Sequence, residues 1–332
     1  ETLTGINYTL ATLLMAGEAI LYSFRTGLKA TVITEIIKIL VVWTGVIILV
    51  PWVISSAGGW DTVVAGLGGK TGQGAAIFGT PFAWGIFTGF GAAAFLGHLG
   101  GPWGDNSFYQ RAFSIKKDSI IPSYVIASFV FIVIPICMGL LGFVAAGSGL
   151  EIPGSMVGVT NAITIGKFLP PLASIVFAFM VFAGLVAILD SQFASVANMT
   201  GHDIFNAFKG GTDDQQIIAY ARWGMIALAI AGVLVANIPG MKLVYLFLFF
   251  AVLRASVWLP SMISLLKPNW ITERGMFWGI LICASIGEIL FVAGKLGYSD
   301  TAFTGTLIAI FGSPVLALII SATDGQRKTA TA

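Results

Sequence analysis

Apolar runs of roughly the length that crosses a bilayer recur from one end of this chain to the other, and they leave it few ways to fold. About nine can be placed, near residues 5–24, 32–56, 79–100, 119–146, 168–199, 214–236, 240–265, 274–294 and 301–321. A helix needs about 20 predominantly apolar residues to span the hydrocarbon core. Water is absent there, so every backbone N–H and C=O must be paired, which makes runs of this length helical. Hydrophobic residues make up 57% of the chain and charged residues only 10%, against roughly 25% charged in soluble domains. The predicted fold class is all-α: a polytopic membrane helix bundle forming one transmembrane domain over residues 1–332. The Gly/Ser/Thr-rich stretches near 57–78 and 147–166 are predicted loops.

Several functions are set aside at this point. The net charge is +2 with its basic residues scattered through loops, so nothing indicates a nucleic-acid partner. Cys137 and Cys283 sit in different spans and read as buried thiols, and no CxxC or His/Cys cluster suggests a metal centre. His98 and His202 stand alone and read first as packed or loop histidines.

Charge bias orients the bundle. If the first span runs inward, Arg25, Lys29, Arg111, Lys116, Lys117, Lys209, Arg222, Lys267, Arg274, Arg327 and Lys328 fall on the inner side. Only Lys70, Lys167, Lys242 and Lys295 fall outside, a ratio of eleven to four. Excess Lys and Arg mark the cytoplasmic side, so the N-terminus of this chain is predicted outside and the C-terminus in the cytoplasm. An outside N-terminus that begins at Glu1 without a signal peptide leads us to expect further N-terminal helices or a companion chain.

One run cannot remain a regular helix. Residues 85–111, GIFTGFGAAAFLGHLGGPWGDNSFYQR, are apolar but glycine-rich and are interrupted at Gly100-Gly101-Pro102. Glycine costs a helix about 1 kcal/mol relative to alanine and an interior proline about 3 kcal/mol. Interrupted spans of this kind point to the binding site of a secondary transporter, although a plain kink gives the same sequence pattern. We expect residues 97–104 to be bent or non-helical and to line a cavity with Asp105 and Asn106 near its inner end.

Ionisable residues inside spans are costly and usually face a partner or a cavity. Glu35 and Lys38 are three residues apart, a spacing that allows an ion pair along one helix. Asp190, Ser191, Ala194, Ser195 and Asn198 share one face of an otherwise apolar helix. That stripe suits either helix packing by small and hydroxyl residues or an oxygen-lined cation or proton path. Glu18, Arg254 and Glu288 are single charges, for which structural pairing or a place near a helix end is the simpler reading.

Three stretches, with a fourth segment in support, resemble the solute:sodium symporter family, whose inverted-repeat fold is shared with amino-acid symporters. LYSFRTGLKATVITEIIK, residues 21–38, is similar to a family loop of the form Y-x-x-x-G-G-L-x-A-V-x-W-T-D-x-x-Q, with Glu35 at the usual aspartate. DNSFYQRAFSIKK, residues 105–117, resembles the D-Q-S-Y-W-Q-R-A motif of the urea-transporter branch. LDSQFASVANMTGHDIF, residues 189–205, resembles the sodium-site helix. KPNWITERGMFWG, residues 267–279, is similar to the basic loop opening a later span.

The resemblance implies core helices four to ten plus two additional helices, with core helices one to three absent. It implies a substrate site at His98, Trp103, Asp105, Asn106 and Ser107, with Arg111 read as a cytoplasmic anchor. The paired hydroxyl ligands of the main sodium site fall at Ala187 and Ile188, whose side chains offer no oxygen. A second cation site falls at Glu35, Asp190 and Ser191, suited to sodium or a shared proton, with the two carboxylates expected to face each other. The function implied is ion-coupled symport of a small polar organic solute, urea-like or amine-like, across a bacterial or archaeal cytoplasmic membrane. It requires no cofactor beyond the coupling ion, takes solute and lipid as partners beside the expected N-terminal helices or companion chain, and involves no covalent catalysis. A transporter-like sensor that binds solute without flux is the alternative, and a passive channel a weaker one.

Overall fold

The computed structural model describes residues 5–69, 81–209, 213–238, 243–298 and 300–324, with the side chains of residues 22, 25–32, 82, 155, 206, 209 and 243 outside the description. Every regular element among the described residues is helical. In chain order these are α1 (Tyr8–Ser56), α2 (Trp60–Gly66), α3 (Pro81–Ile86), α4 (Ala92–Gly100), α5 (Asn106–Phe113), α6 (Ile120–Gly147), α7 (Thr160–Phe168) and α8 (Pro171–Asn198). Then come α9 (Phe205–Lys209), α10 (Asp214–Ala236), α11 (Leu243–Ala255), α12 (Trp258–Leu266), α13 (Glu273–Lys295), α14 (Ala302–Leu307) and α15 (Ser313–Thr323). Seven helical segments among the described residues are long and apolar enough to cross a membrane: Ile33–Ser56, Lys117–Gly147, Pro171–Ile204, Asp214–Ala236, Val244–Leu266, Glu273–Lys295 and Ala302–Thr323. The two other expected spans are the shorter Tyr8–Leu21 and the interrupted run 79–100. Large apolar side chains such as Ile126, Phe129, Phe179 and Ile289 point outward from these helices. A bilayer can accept such a surface and water cannot.

The chain forms two compact units, one of Glu1–Ala75 with Gln110–Gly240 and the other of Ala76–Tyr109 with Met241–Ala332. In the first, α1 is assigned as 49 continuous residues, yet its packing shows that the chain reverses within it. Thr9 donates to Asn237 at the C-terminal end of α10, and Ala19 shares a buried cluster with Phe193, Met225 and Ala229. Further on, Glu35 bonds Ser191 and Gly45 lies against Met180. A straight helix rises about 1.5 Å per residue, which would carry Glu35 about 24 Å beyond Ala19. Both nevertheless meet α8 within residues 191–193. The first arm thus runs toward the junction of α8 and α10, and the second runs back from it along α8. The expected loop at 25–31 is instead a helical corner.

The core of this unit joins Val46, Leu49 and Val53 of α1 to Leu141 and Val144 of α6, Ile165 of α7, and Phe177 and Met180 of α8. The predicted loop 147–166 is corrected here. It contains a 3-10 segment, Gly154–Val159, and the start of α7, which folds because Ile165, with no exposed surface, inserts into that core. Likewise α2 forms within the predicted loop 57–78, of which residues 70–78 lie outside the described residues. Of the charges that set the orientation, Lys70, Lys242, Arg327 and Lys328 and the side chains of Arg25, Lys29 and Lys209 also lie outside.

In the second unit, α13 packs against α14 and α15 through small residues. A Cβ built on Gly279 would stand 2.7 Å from backbone atoms of Ala317, and one on Gly287 would stand 2.6 Å from the Gly305 carbonyl oxygen. Close approach of this kind is how helices associate in lipid, where hydrophobic burial gives no advantage. Leu248 and Val252 of α11, Phe291 of α13 and Ile310 of the π-helical segment Ile308–Gly312 complete the core.

Candidate functional site

The interrupted run lies in the second unit. It begins as α3, passes through a π-helical segment Phe87–Gly91 and continues as α4. The chain then tightens to a 3-10 turn over Gly101–Gly104, becomes extended at Asp105 (φ −120°, ψ 108°) and restarts as α5. The break therefore falls on 101–105, whereas the sequence placed it on 97–104. Gly97 and Gly100 serve close packing rather than unwinding: a Cβ on either would meet Ala251 or Ala255 of α11 at 2.5 to 2.9 Å. The true break comes where Pro102 removes a backbone donor. Gly104 lets α11 approach the turn closely, because a Cβ there would lie 2.5 Å from the Arg254 carbonyl oxygen.

Asp105 caps the restarted helix. Its Oδ1 accepts from the Ser107 backbone N–H at 3.0 Å and from the Ser107 hydroxyl at 2.7 Å, while Oδ2 pairs with Arg254 Nη1 at 3.0 Å. Burial pushes this carboxyl up, but the Ser107 hydrogen bonds and the Arg254 guanidinium outweigh it and hold it below the usual aspartate range. Arg254, for which the sequence favoured structural pairing, is thus the counter-ion of Asp105. Trp103 is half-buried and its carbonyl accepts from the Tyr109 hydroxyl. His98 is exposed, bonds the Ala94 carbonyl of its own helix and meets the Phe247 ring at a tilt, 5.1 Å between centroids. Asn106 differs from these, because its Nδ2 is buried without a hydrogen-bond partner.

The carboxylates of the candidate cation site lie in the first unit. Sequence spacing suggested a Glu35–Lys38 pair along α1, and the structure corrects it. Lys38 reaches across to Asp190 of α8, which has no exposed surface. Glu35 takes Arg111 of α5 at 2.8 Å. Arg111 Nη2 also donates to Ser191 Oγ at 2.6 Å, and that hydroxyl lies 2.6 Å from Glu35 Oε1 and 3.0 Å from the Ala187 carbonyl. A hydroxyl has one proton to give, so Ser191 serves either Glu35 or Ala187 while accepting from Arg111. Arg111 is therefore part of this partly buried network and not merely an anchor. Gln110 adds amide contacts at 3.4 Å to the Ala194 and Ser195 carbonyls, and Glu18 lies within electrostatic reach of Asp190 and Lys38.

Glu35, Asp190 and Ser191 are thus close in space, but each carboxylate faces a cation of the chain. One atom stays unmatched: Asp190 Oδ1 is buried without a partner. Among the described residues, no group of three or more His, Cys, Asp and Glu side chains could hold a metal ion. For Arg254 the favoured structural pairing is found, but sequence alone does not name the partners of Arg254, Arg111 and Glu18, because they lie far away along the chain. Glu288 departs from its expected pairing. Both its oxygens are buried without a hydrogen bond, in a helix face otherwise made of Ala284, Gly287 and Phe291.

A helical membrane bundle with an interrupted helix and charge pairs linking its spans has the features of a secondary transporter. The pattern of the sodium:solute symporter family matches residues 1–283, and the chain belongs to that family. It is similar to the urea-proton symporter DUR3 of Oryza sativa subsp. japonica, 22% identical over 93% of this chain and 48% of the relative. The chain spans about half the length of that relative.

Proposed function

We propose that this chain is the transmembrane core of an ion-coupled symporter that moves a small polar organic solute, urea-like or amine-like, by alternating access. The observation that carries this reading is Asp190, a fully buried carboxylate inside the span Pro171–Ile204 and paired with Lys38 from another helix. A charge at such depth is expensive and by default marks an ion or substrate path. Glu35, Asp190 and Ser191 form the core of the coupling site, with sodium or a proton as the driving ion. The charge pairs join α1, α5 and α8, so any change in those pairs biases how the three elements sit. A ligand moves such an equilibrium only through its differential affinity for the two states.

The solute site is His98, Trp103, Asp105, Asn106 and Ser107. Asp105 and Ser107 hold each other and Arg254, so Asn106 supplies the free amide donor suited to a carbonyl oxygen such as that of urea. The name of the rice relative favours a urea-like solute, with the proton as one of the two candidate ions. The family supports transport over covalent catalysis. The protein sits in a cytoplasmic membrane with the C-terminus of this chain inside.

The test is uptake of labelled urea by proteoliposomes carrying the intact gene product. Accumulation that requires an inward sodium or proton gradient, and collapses with the matching ionophore, is the expected result. Solute binding without flux would point to the sensor reading, and gradient-independent flux to a channel.

A further inference from the structure

The geometry points to Lys38 as a tethered cation that takes the place of a metal ion at the Asp190 carboxylate, so that this site does not bind sodium. The inference deepens the coupling site proposed above. It starts from a disagreement between what the family name implies and what the residues offer. The helix position of the paired sodium ligands carries Ala187 and Ile188, which supply no side-chain oxygen. At the second position, a sodium ion would need the oxygens of Glu35, Asp190 and Ser191. One oxygen of each carboxylate and the hydroxyl are engaged: Lys38 holds Asp190 Oδ2, Arg111 holds Glu35 Oε1, and Ser191 Oγ accepts from Arg111 while facing Glu35.

The two pairs carry two negative and two positive charges, hence zero; Glu18 lies within electrostatic reach of Asp190 and Lys38 but is an exposed residue outside both pairs. A sodium ion entering the pairs themselves would add one positive charge that neither pair compensates, beside a carboxylate with no exposed surface. An unpaired charge in such surroundings is strongly disfavoured. Asp190 Oδ1 is the buried oxygen left bare, and with Glu35 Oε2, which lies outside these bonds, this makes two carboxylate oxygens, where a hard cation wants a shell of about six. Lys38 suits the substitute role. Its ammonium is a compact positive charge on a flexible four-carbon stem, and it sits on the α1 arm that runs along α8. Deleting that ammonium leaves the group one negative charge in excess, which is the balance that a monovalent metal ion restores.

The test is a sodium titration of thermal unfolding on the intact protein in detergent, with choline replacing sodium at constant ionic strength. A ligand that binds only the folded state raises Tm with its concentration. The wild type should show the same Tm in sodium and in choline. Lys38→Met should unfold earlier in choline and gain a sodium-specific rise in Tm. Lys38→Arg should remain insensitive to sodium. Lys38→Met combined with Asp190→Asn removes both charges, so it should fold even where the single variant does not, and should show no sodium response. A sodium-specific rise in the wild type that Asp190→Asn abolishes would overturn the inference, as would a folded Lys38→Met variant that ignores sodium. Neither result depends on transport, so failure here is separate from failure of urea uptake.

Discussion

Asp105 performs two tasks, and they can be separated by mutation. Its Oδ1 caps α5 through Ser107, and its Oδ2 neutralises Arg254. Arg254→Met leaves a charged carboxylate at 8% exposure without its counter-ion. Breaking a fully buried pair in this way costs about 3–5 kcal/mol. Arg254 lies inside the span Val244–Leu266, and Ser107 still solvates the carboxylate, so we expect roughly 2 kcal/mol, below the fully buried range. Asp105→Asn keeps an acceptor for the Ser107 N–H and leaves a guanidinium that still donates to the Phe250 carbonyl, so it should cost about 1 kcal/mol. Asp105→Ala also removes the cap, which adds about 1 kcal/mol.

The pH dependence follows from the depressed carboxyl. A group held below its ordinary value of 3.8 contributes stability that is complete above that value and is lost as pH falls through the folded value. The stability gap between wild type and Asp105→Asn should therefore stay constant from neutral pH down to about 5 and close only below about 4. Urea unfolding in micelles, followed by tryptophan fluorescence across pH, measures both quantities. A gap that closes between about pH 6 and 7 would refute the assignment. So would an Asp105→Asn variant as unstable as Arg254→Met.

Other consequences can be checked in the same preparations. Gly279→Ala places a methyl 2.7 Å from Ala317 backbone atoms, which cannot yield as a side-chain tip would, so thermal unfolding should report a loss of about 1–3 kcal/mol. Arg111→Gln and Glu35→Gln should each destabilise, with a coupling of about 1–2 kcal/mol in a double-mutant cycle of denaturant midpoints. Asn106→Leu breaks no bond made by its Nδ2, so it should leave Tm nearly unchanged while raising KM for urea uptake about tenfold, the worth of one hydrogen bond.

The all-helical membrane fold was legible because apolar run length and the demand for paired backbone groups leave no competing solution. The reversal near residues 25–31 was legible too, since the charges there interrupt two apolar runs. The interior elements of the supposed loops were not. In α7, Ile165 is anchored by residues far away in sequence, on α1, α6 and α8, which local composition does not reveal. At the site, the charged residues were all visible but their pairing was not. Spacing along one helix favoured Glu35 with Lys38, whereas packing turns Lys38 to Asp190 and brings Arg111 to Glu35. Partner choice depends on helix rotation and crossing, and these are set by close contacts such as Gly45 against Met180. The same limit applies to Gly97 and Gly100, where glycine for unwinding and glycine for close packing look identical in sequence.

Asp190→Asn is the most direct test of coupled symport through the buried charge pairs, because it removes the charge at nearly constant volume. Two quantities should be measured on the same proteoliposomes: urea accumulation under an imposed inward ion gradient, and urea exchange at equal concentrations with no gradient. Coupling through Asp190 predicts that the variant loses accumulation while retaining exchange, since solute binding and the conformational change survive without the link to the ion. An Asp190→Asn protein that accumulates urea with the wild-type ion dependence would contradict the account and reduce the pair with Lys38 to a structural contact.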